Sequence, residues 1–233
     1  YLIQIFKDGE TKFRNKITWM ISNHDNKRAA TRFGGGKVGL NRSLAATAFT
    51  AFLTGFPFLY QGEELGLEDI EVEHENLRDP MGREFPDDPD TGRDPCRTNM
   101  PWQSGEKWQG FSDHDQPWLT SKPRKDIDCV DVQLGDDNSN YYQCKKIVNL
   151  RSTIYKEIFE NKYEQKYFES KTHYGYEAGP YLIAFNAGKE DVVHSVEGNW
   201  TKCYCSDLVM NDASTHSGSV VFNSESTTVY KKS

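Results

Sequence analysis

ITWMISNHDNKRAATRFGGGKVGLNRSLAATAFTAFLTGFPFLYQGEE, running from Ile17 to Glu64, changes texture three times, and those changes decide the fold. Ile17 to Ser22 is a short run of apolar and β-favouring residues that ends on Asn23-His24-Asp25. It reads as a strand buried on both faces, with polar groups at its carboxyl end. After the glycines at 34–36, Leu40, Leu44, Ala48 and Phe52, with Ala45 and Phe49, recur at helical intervals and predict a helix with a wide apolar face. Gly55 closes it, and Phe56-Pro57-Phe58-Leu59-Tyr60 starts a second buried run ending on Gln61-Gly62-Glu63-Glu64. Strand, helix, strand is the repeat of an α/β domain. Two buried strands that both deliver polar residues at their carboxyl ends fit a parallel sheet or a (β/α)8 barrel with its site at that face.

Beyond this unit, residues from about 67 to 132 are rich in Asp, Pro, Gly and Arg and show no sustained period. Loops of that length are usually functional or disordered. Trp102, Trp108 and Trp118 argue that this one is ordered, since disordered segments are poor in aromatics. Asn140 to Ile158 places Tyr141, Cys144, Ile147, Val148, Leu150, Ile154 and Ile158 as the apolar face of an amphipathic helix. From about Tyr167 the chain alternates in short pieces, such as Tyr181-Leu182-Ile183-Ala184-Phe185-Asn186 and Ser219-Val220-Val221-Phe222, which predict a small separate antiparallel β domain.

With 233 residues, 36% of them hydrophobic, the chain can bury a sizeable core, and a net charge of -7 argues against nucleic acid as a partner. No apolar run approaches the roughly 20 residues that a membrane span needs. The amino-terminal YLIQIFKDGETKFRN reads as neither a signal peptide nor a translation start, so the chain is expected to be part of something longer, with any membrane anchor outside it. Five cysteines permit two bridges plus one thiol, or a bridge to another segment. Cys203-Tyr204-Cys205 lacks metal-ligand spacing, and no metal site is expected. Asn41-Arg42-Ser43 and Asn199-Trp200-Thr201 are glycosylation sequons, which with the cysteines point to a secreted or extracellular, membrane-associated setting.

A His-Asp pair at a strand end suits hydroxyl-rich ligands, because a carboxylate accepts two hydrogen bonds and an imidazole donates one. Taken alone, it equally suits a strand-end cap. A Ser-His-Asp triad is excluded by the alternation of side chains along a strand and by the absence of a nucleophile elbow.

Three stretches read together go further. Ser22-Asn23-His24-Asp25-Asn26-Lys27-Arg28, then Thr54-Gly55-Phe56-Pro57-Phe58-Leu59-Tyr60-Gln61-Gly62-Glu63-Glu64, then Gly92-Arg93-Asp94-Pro95-Cys96-Arg97-Thr98-Asn99-Met100-Pro101-Trp102 resemble the α-amylase superfamily of glycoside hydrolases, in its maltase, oligo-1,6-glucosidase and sucrase-type branch. The resemblance implies that the strand before Asn23 is the seventh of a (β/α)8 barrel and Phe56 to Tyr60 the eighth. Residues 1–165 would then be the carboxyl-terminal half of the catalytic barrel, with the long loop over about 67–132, and 166–233 the antiparallel β domain. It implies α-glucosidic bond cleavage with retention, by an aspartate nucleophile, a glutamate acid/base and a third carboxylate that steadies the distorted sugar.

Asp25 matches that third carboxylate, and His24 the histidine that shares its duty. Arg97 matches an arginine that holds the far hydroxyl of the terminal glucose, and Arg28 an arginine near the entrance, where a rim salt bridge is the competing role. Glu63 and Glu64 read as loop hydrogen-bonding groups. Asn26-Lys27 stands where relatives often have Gln-Pro, Asn99 replaces a usual proline, and Gln103 follows Trp102 where an acid is common, which changes the walls beyond the reacting sugar. Nothing here matches the earlier strands, where nucleophile and acid/base belong. The resemblance thus implies the amino-terminal half of the same protein as a partner, an α-glucoside or oligosaccharide substrate and no cofactor. Its second implication is an inactive relative, such as an amino-acid-transporter heavy-chain ectodomain, a receptor or a storage protein.

Overall fold

The computed structural model describes residues 4–5, 8, 11–12, 16–88, 91–207 and 213–233, so most of the amino-terminal stretch read above lies outside the described residues. The chain divides into two compact units, each discontinuous in sequence.

One unit gathers the described residues of Tyr1–Met20, Leu44–Phe58 and Cys144–Ser233. Strand β1 (Thr18–Trp19) pairs in parallel with β2 (Phe56–Pro57), Thr18 opposite Phe56. Between them in sequence runs helix α1 (Gly36–Phe52), whose Leu44, Ala48, Phe49, Ala51 and Phe52 are buried in this unit. The strand–helix–strand reading therefore holds, with a parallel pair. The chain turns after α1 at Gly55, whose φ is +101° and where a Cβ would sit 2.3 Å from the Ile17 carbonyl oxygen. Only glycine fits that approach. The strands are two residues each rather than five or six, and Met20, Phe56 and Phe58 are 50%, 59% and 59% exposed instead of buried. A two-stranded ribbon offers no further strands to cover these side chains.

Helix α2 (Asn140–Tyr155), continued by a wider turn over Lys156–Glu160, buries Cys144, Ile147, Ile154 and Ile158, as the spacing predicts. Val148, expected on that face, is 53% exposed, so the buried stripe is narrower than the pattern. Arg151 of α2 donates to the carbonyls of Ala51, Leu53 and Gly55, which the end of α1 leaves without helical partners.

The tail forms one antiparallel sheet of β3 (Lys166–Glu169), β4 (His173–Ala178), β5 (Tyr181–Asn186), β6 (Val192–Cys205), β7 (Thr215–Phe222) and β8 (Ser226–Lys232), in the order β3-β4-β5-β8-β6-β7. Tyr176, Ile183, Tyr204 and Val229 share a core with the helices, and the Tyr176 hydroxyl donates to the Phe52 carbonyl. Leu182, Ala184, Trp200, Val220, Phe222 and Tyr230 form a second core. The sheet closes on that core by curling: Phe168 on edge strand β3 stacks on Phe222 of the opposite edge, β7, at 5.8 Å between ring centres. Both faces being covered explains why β5 reads as an unbroken apolar run.

The other unit comprises Ile21–Ser43 and Leu59–Gln143. Its apolar core is small, Leu65, Leu67 and Met100 with Val130 and Tyr141 packed against it. Order in the long loop comes from buried polar groups. Arg124 donates to the Glu68 carbonyl and the Thr98 hydroxyl, and Gln109 exchanges two hydrogen bonds with the Arg124 backbone. Trp102 and Trp118 are 48% and 63% exposed, so the buried contacts of the loop come instead from the arginine. Glu63 accepts from the Tyr60 amide, and its carbonyl and that of Glu64 accept from Asn140, which is the loop role read for this pair.

Among the described residues none of the five cysteines is in a disulfide, where the sequence allowed two bridges plus a thiol or a bridge to another segment. They are spent locally: Cys96 donates to the Arg93 carbonyl and Cys203 to the Val229 carbonyl, while Cys129 accepts from Gln109. Among the described residues no helix is long and apolar enough to cross a membrane.

Candidate active site

The polar triplet after β1 makes its own turn. The Asn23 side-chain oxygen accepts from the Asp25 amide and from the Asn26 side chain, both at 2.9 Å, an Asx-type turn that fixes where Asp25 leaves the backbone. Buried Ser22 accepts from the Ala29 amide at 3.0 Å and so caps the short helix Ala29–Arg32.

Asp25 is then held from a distant part of the sequence. Its Oδ1 accepts from Arg93 Nη1 at 2.9 Å and from Arg97 Nη2 at 3.1 Å, while its Oδ2 lies 3.4 Å from His24 Nε2. Arg97 Nε donates to the His24 carbonyl at 2.7 Å, so one guanidinium fixes the backbone of one residue and the carboxylate of the next. The Arg93 hydrogen bond, and then the charges of His24, Arg93 and Arg97, hold the Asp25 carboxyl below its usual range against the opposing effect of desolvation.

Arg93 is itself oriented. Its Nε and Nη2 donate to Oδ1 of Asp79, whose side chain is fully buried, and its amide donates to Asp79 Oδ2 at 3.1 Å. Arg93 keeps the Asp79 carboxyl ionised as well. The amides of Arg78 and Asp79 in turn donate to Oδ2 of buried Asp94, at 2.6 and 2.9 Å. Asp94, Asp79, Arg93 and Asp25 thus form a chain of charge-assisted bonds running from the interior to an exposed carboxylate.

Of the residues expected at the site, His24, Asp25 and Arg97 come together. Arg28 does not: its side chain is buried, with Nη1 donating to the Gln61 carbonyl at 2.6 Å and the guanidinium over the Tyr60 ring at 5.2 Å. Its Nε and Nη2 have no hydrogen-bond partner, and its amide donates to Asp69. Tyr60, fixed by its hydroxyl on the Cys96 carbonyl, is the lid that keeps Arg28 from the surface. The two sequons differ: Asn199 is exposed on β6, whereas Asn41 is half-buried within α1 and Ser43 is buried.

Sequence reasoning missed Arg93 and Asp79. Nothing local marks either: Arg93 stands just before the 3-10 turn Asp94–Arg97, and its partner Asp25 is 68 residues away. A cavity of about 790 Å³ extends from Asp25 and Arg93 past Thr31, Glu71 and Leu77. His24 and Arg97 lie outside its lining.

A parallel strand–helix–strand segment, with an arginine-held carboxylate in the loop after the first strand, defines the class: an α/β arrangement with a charged site in a loop that follows a strand. Residues 3–160 match the alpha-amylase family, described as alpha amylase, catalytic domain, and the chain belongs to that family. It is 32% identical over 164 residues to an oligo-1,6-glucosidase of Parageobacillus thermoglucosidasius, covering 62% of this chain and 28% of that protein. It is 34% identical over 137 residues to Maltase A1 of Drosophila melanogaster, covering 57% of this chain and 22% of that one. Both relatives are of the maltase and oligo-1,6-glucosidase kind. The chain spans about a quarter of the length of these relatives. Among solved structures, isomaltulose synthase from Klebsiella sp. LX3 superposes with a TM-score of 0.76 at 21% identity, over 98% of this chain and 45% of that one. An alpha-glucosyl transfer enzyme does so with 0.72 at 26% identity, over 93% and 40%. The shared fold is that of alpha-amylase-family barrel enzymes.

Proposed function

We propose that the chain supplies the sugar-gripping part of an α-glucosidase of the maltase or sucrase type, which hydrolyses terminal α-glucosidic bonds with retention. The observation that carries this reading is the cluster in which Arg93 and Arg97 hold one oxygen of Asp25. Under it, β1 and β2 are the seventh and eighth barrel strands, residues 1–165 are the carboxyl-terminal half of the catalytic barrel, and 166–233 are a small β domain.

The geometry divides the labour of the carboxylate. Oδ1 is taken by two guanidiniums, while among the described residues Oδ2 faces only the imidazole, at 3.4 Å. Oδ2 is therefore the oxygen left to accept from the 2- and 3-hydroxyls of the reacting glucose. Those hydrogen bonds strengthen as the ring flattens toward an oxocarbenium-like transition state, which lowers the barrier without tightening the ground state equally. A carboxyl held below its usual range stays ionised and so remains an acceptor throughout. His24 and Arg97 hold the terminal glucose from the same place, and Arg28 acts only through Tyr60, as a positioning residue. The nucleophilic aspartate and the glutamate acid/base belong to the amino-terminal half of the same protein, and no cofactor is needed. The setting is secreted or extracellular, with Asn199 the better-exposed glycan acceptor.

The test is the anomer released first when the intact protein acts on p-nitrophenyl α-glucoside, followed by proton NMR. α-Glucose appearing before mutarotation supports the reading. β-Glucose first, or no hydrolysis, overturns it.

A further inference from the structure

The long loop holds a second concavity, of about 200 Å³, that shares no lining residue with the cavity at Asp25. Trp108 forms one wall, with Asn99, Glu106, Ser121 and Lys122 around it. Trp108 and Gln109 are consecutive non-glycine residues at φ +49° and +51°, a left-handed conformation that bulky side chains disfavour. The surroundings enforce it. The Gln109 carbonyl accepts from the amides of both Trp102 and Gln103, and its side-chain amide is clamped on the Arg124 backbone. The indole is fixed too, by its Nε1 donating to the His114 carbonyl at 3.0 Å. A strained backbone that presents a pinned aromatic ring to an open cavity is the pattern of a ligand-facing wall.

The remaining chemistry selects the ligand class. A half-buried indole suits the apolar C–H face of a pyranose, and the Glu106 carboxylate and the Asn99 side-chain oxygen beside it suit its hydroxyls, whereas the Asn99 amide nitrogen donates to the Leu119 carbonyl, Ser121 to the Lys122 carbonyl and Lys122 to Glu71. The Glu106 carboxylate makes no hydrogen bond or ion pair with any described residue, so it is available to such a partner. We propose that this concavity is a saccharide-binding site that takes one pyranose unit of an α-linked oligosaccharide, stacked on Trp108 and hydrogen-bonded by Glu106 and Asn99. The choice of an α-linked sugar rests on the α-glucosidase reading, whereas the pyranose class rests on the site.

The test is calorimetric titration of the intact protein, carrying Asp25→Asn to prevent turnover, with maltotriose. Trp108→Gly removes the ring and at the same time relieves the left-handed strain, so it keeps the fold while deleting the wall. Glu106→Gln keeps the shape and removes the charge. The expected result is a binding event whose affinity falls at least tenfold with Trp108→Gly and at least threefold with Glu106→Gln, with unfolding temperatures no lower than the parent's. An affinity unchanged by both variants, or no maltotriose binding outside the Asp25 cavity, overturns the site. Hydrolysis of p-nitrophenyl α-glucoside by the wild-type protein is scored separately, so an inert protein that still binds maltotriose through Trp108 leaves the site standing and removes only the enzymatic reading.

Discussion

Two guanidiniums converge on one oxygen of Asp25, and a fully buried carboxylate, Asp79, orients one of them. The consequence is a division of roles between residues that look alike in sequence. Asp79→Ala leaves Arg93 without its orienting partner, so it is expected to cost about 2 kcal/mol of stability and to lower kcat/KM on p-nitrophenyl α-glucoside by roughly tenfold. Denaturant melts and steady-state kinetics check the two effects. The acid response has a defined sign. Asp25 and Asp79 both have carboxyls held below their ordinary range, by Arg93 foremost. Their contribution is fully present above the unfolded carboxylate pKa of about 4 and is lost as pH falls through the lower folded values. The difference in unfolding temperature between wild type and Asp79→Asn should therefore be largest near neutrality and shrink below pH about 4. A difference that grows on acidification would count against this account.

At the scale of elements, the end of α1 depends on two unlike devices. Arg151 of α2 satisfies three carbonyls, that of Ala51 in the last turn and those of Leu53 and Gly55 beyond it, and Gly55 brings the chain against the Ile17 carbonyl. Arg151→Ala is expected to destabilise by about 2 kcal/mol, and Arg151→Lys to recover little, since a single ammonium cannot reproduce a planar fork spread over three acceptors. Gly55→Ala, which puts a Cβ into a carbonyl at a positive φ, should lower the unfolding temperature by several degrees, on the order of 1–3 kcal/mol. These elements were readable from the chain because apolar spacing is local: Cys144, Ile147, Ile154 and Ile158 record the buried stripe of α2, and the apolar run at Tyr181–Phe185 records β5. The site was half readable. Asn23-His24-Asp25 and Arg97 stood out by resemblance, but the Arg93 to Asp25 bond joins residues 68 apart, and nothing local marks it. The burial of Arg28 was not readable for the same reason, because its place beneath Tyr60 is set by a residue 32 positions on.

For the molecule as a whole, membership of the alpha-amylase family rests on residues 3–160, while the chain spans about a quarter of the length of its curated relatives. A working glycosidase needs two further carboxylates, and under the proposed function these lie on the amino-terminal half of the same protein. The exposed Met20, Phe56 and Phe58 beside the two-stranded ribbon suit such a neighbour, since apolar side chains gathered at a sheet seek cover. Whatever supplies those carboxylates, Asp25 is the residue on which the functional reading turns. The decisive measurement is kcat/KM of the intact protein for p-nitrophenyl α-glucoside, with and without Asp25→Ala. Measurable hydrolysis by the wild type, falling at least a thousandfold in the variant, chiefly through kcat and with the unfolding temperature held, is the predicted result. An inert wild type, or a variant that keeps its rate, contradicts it.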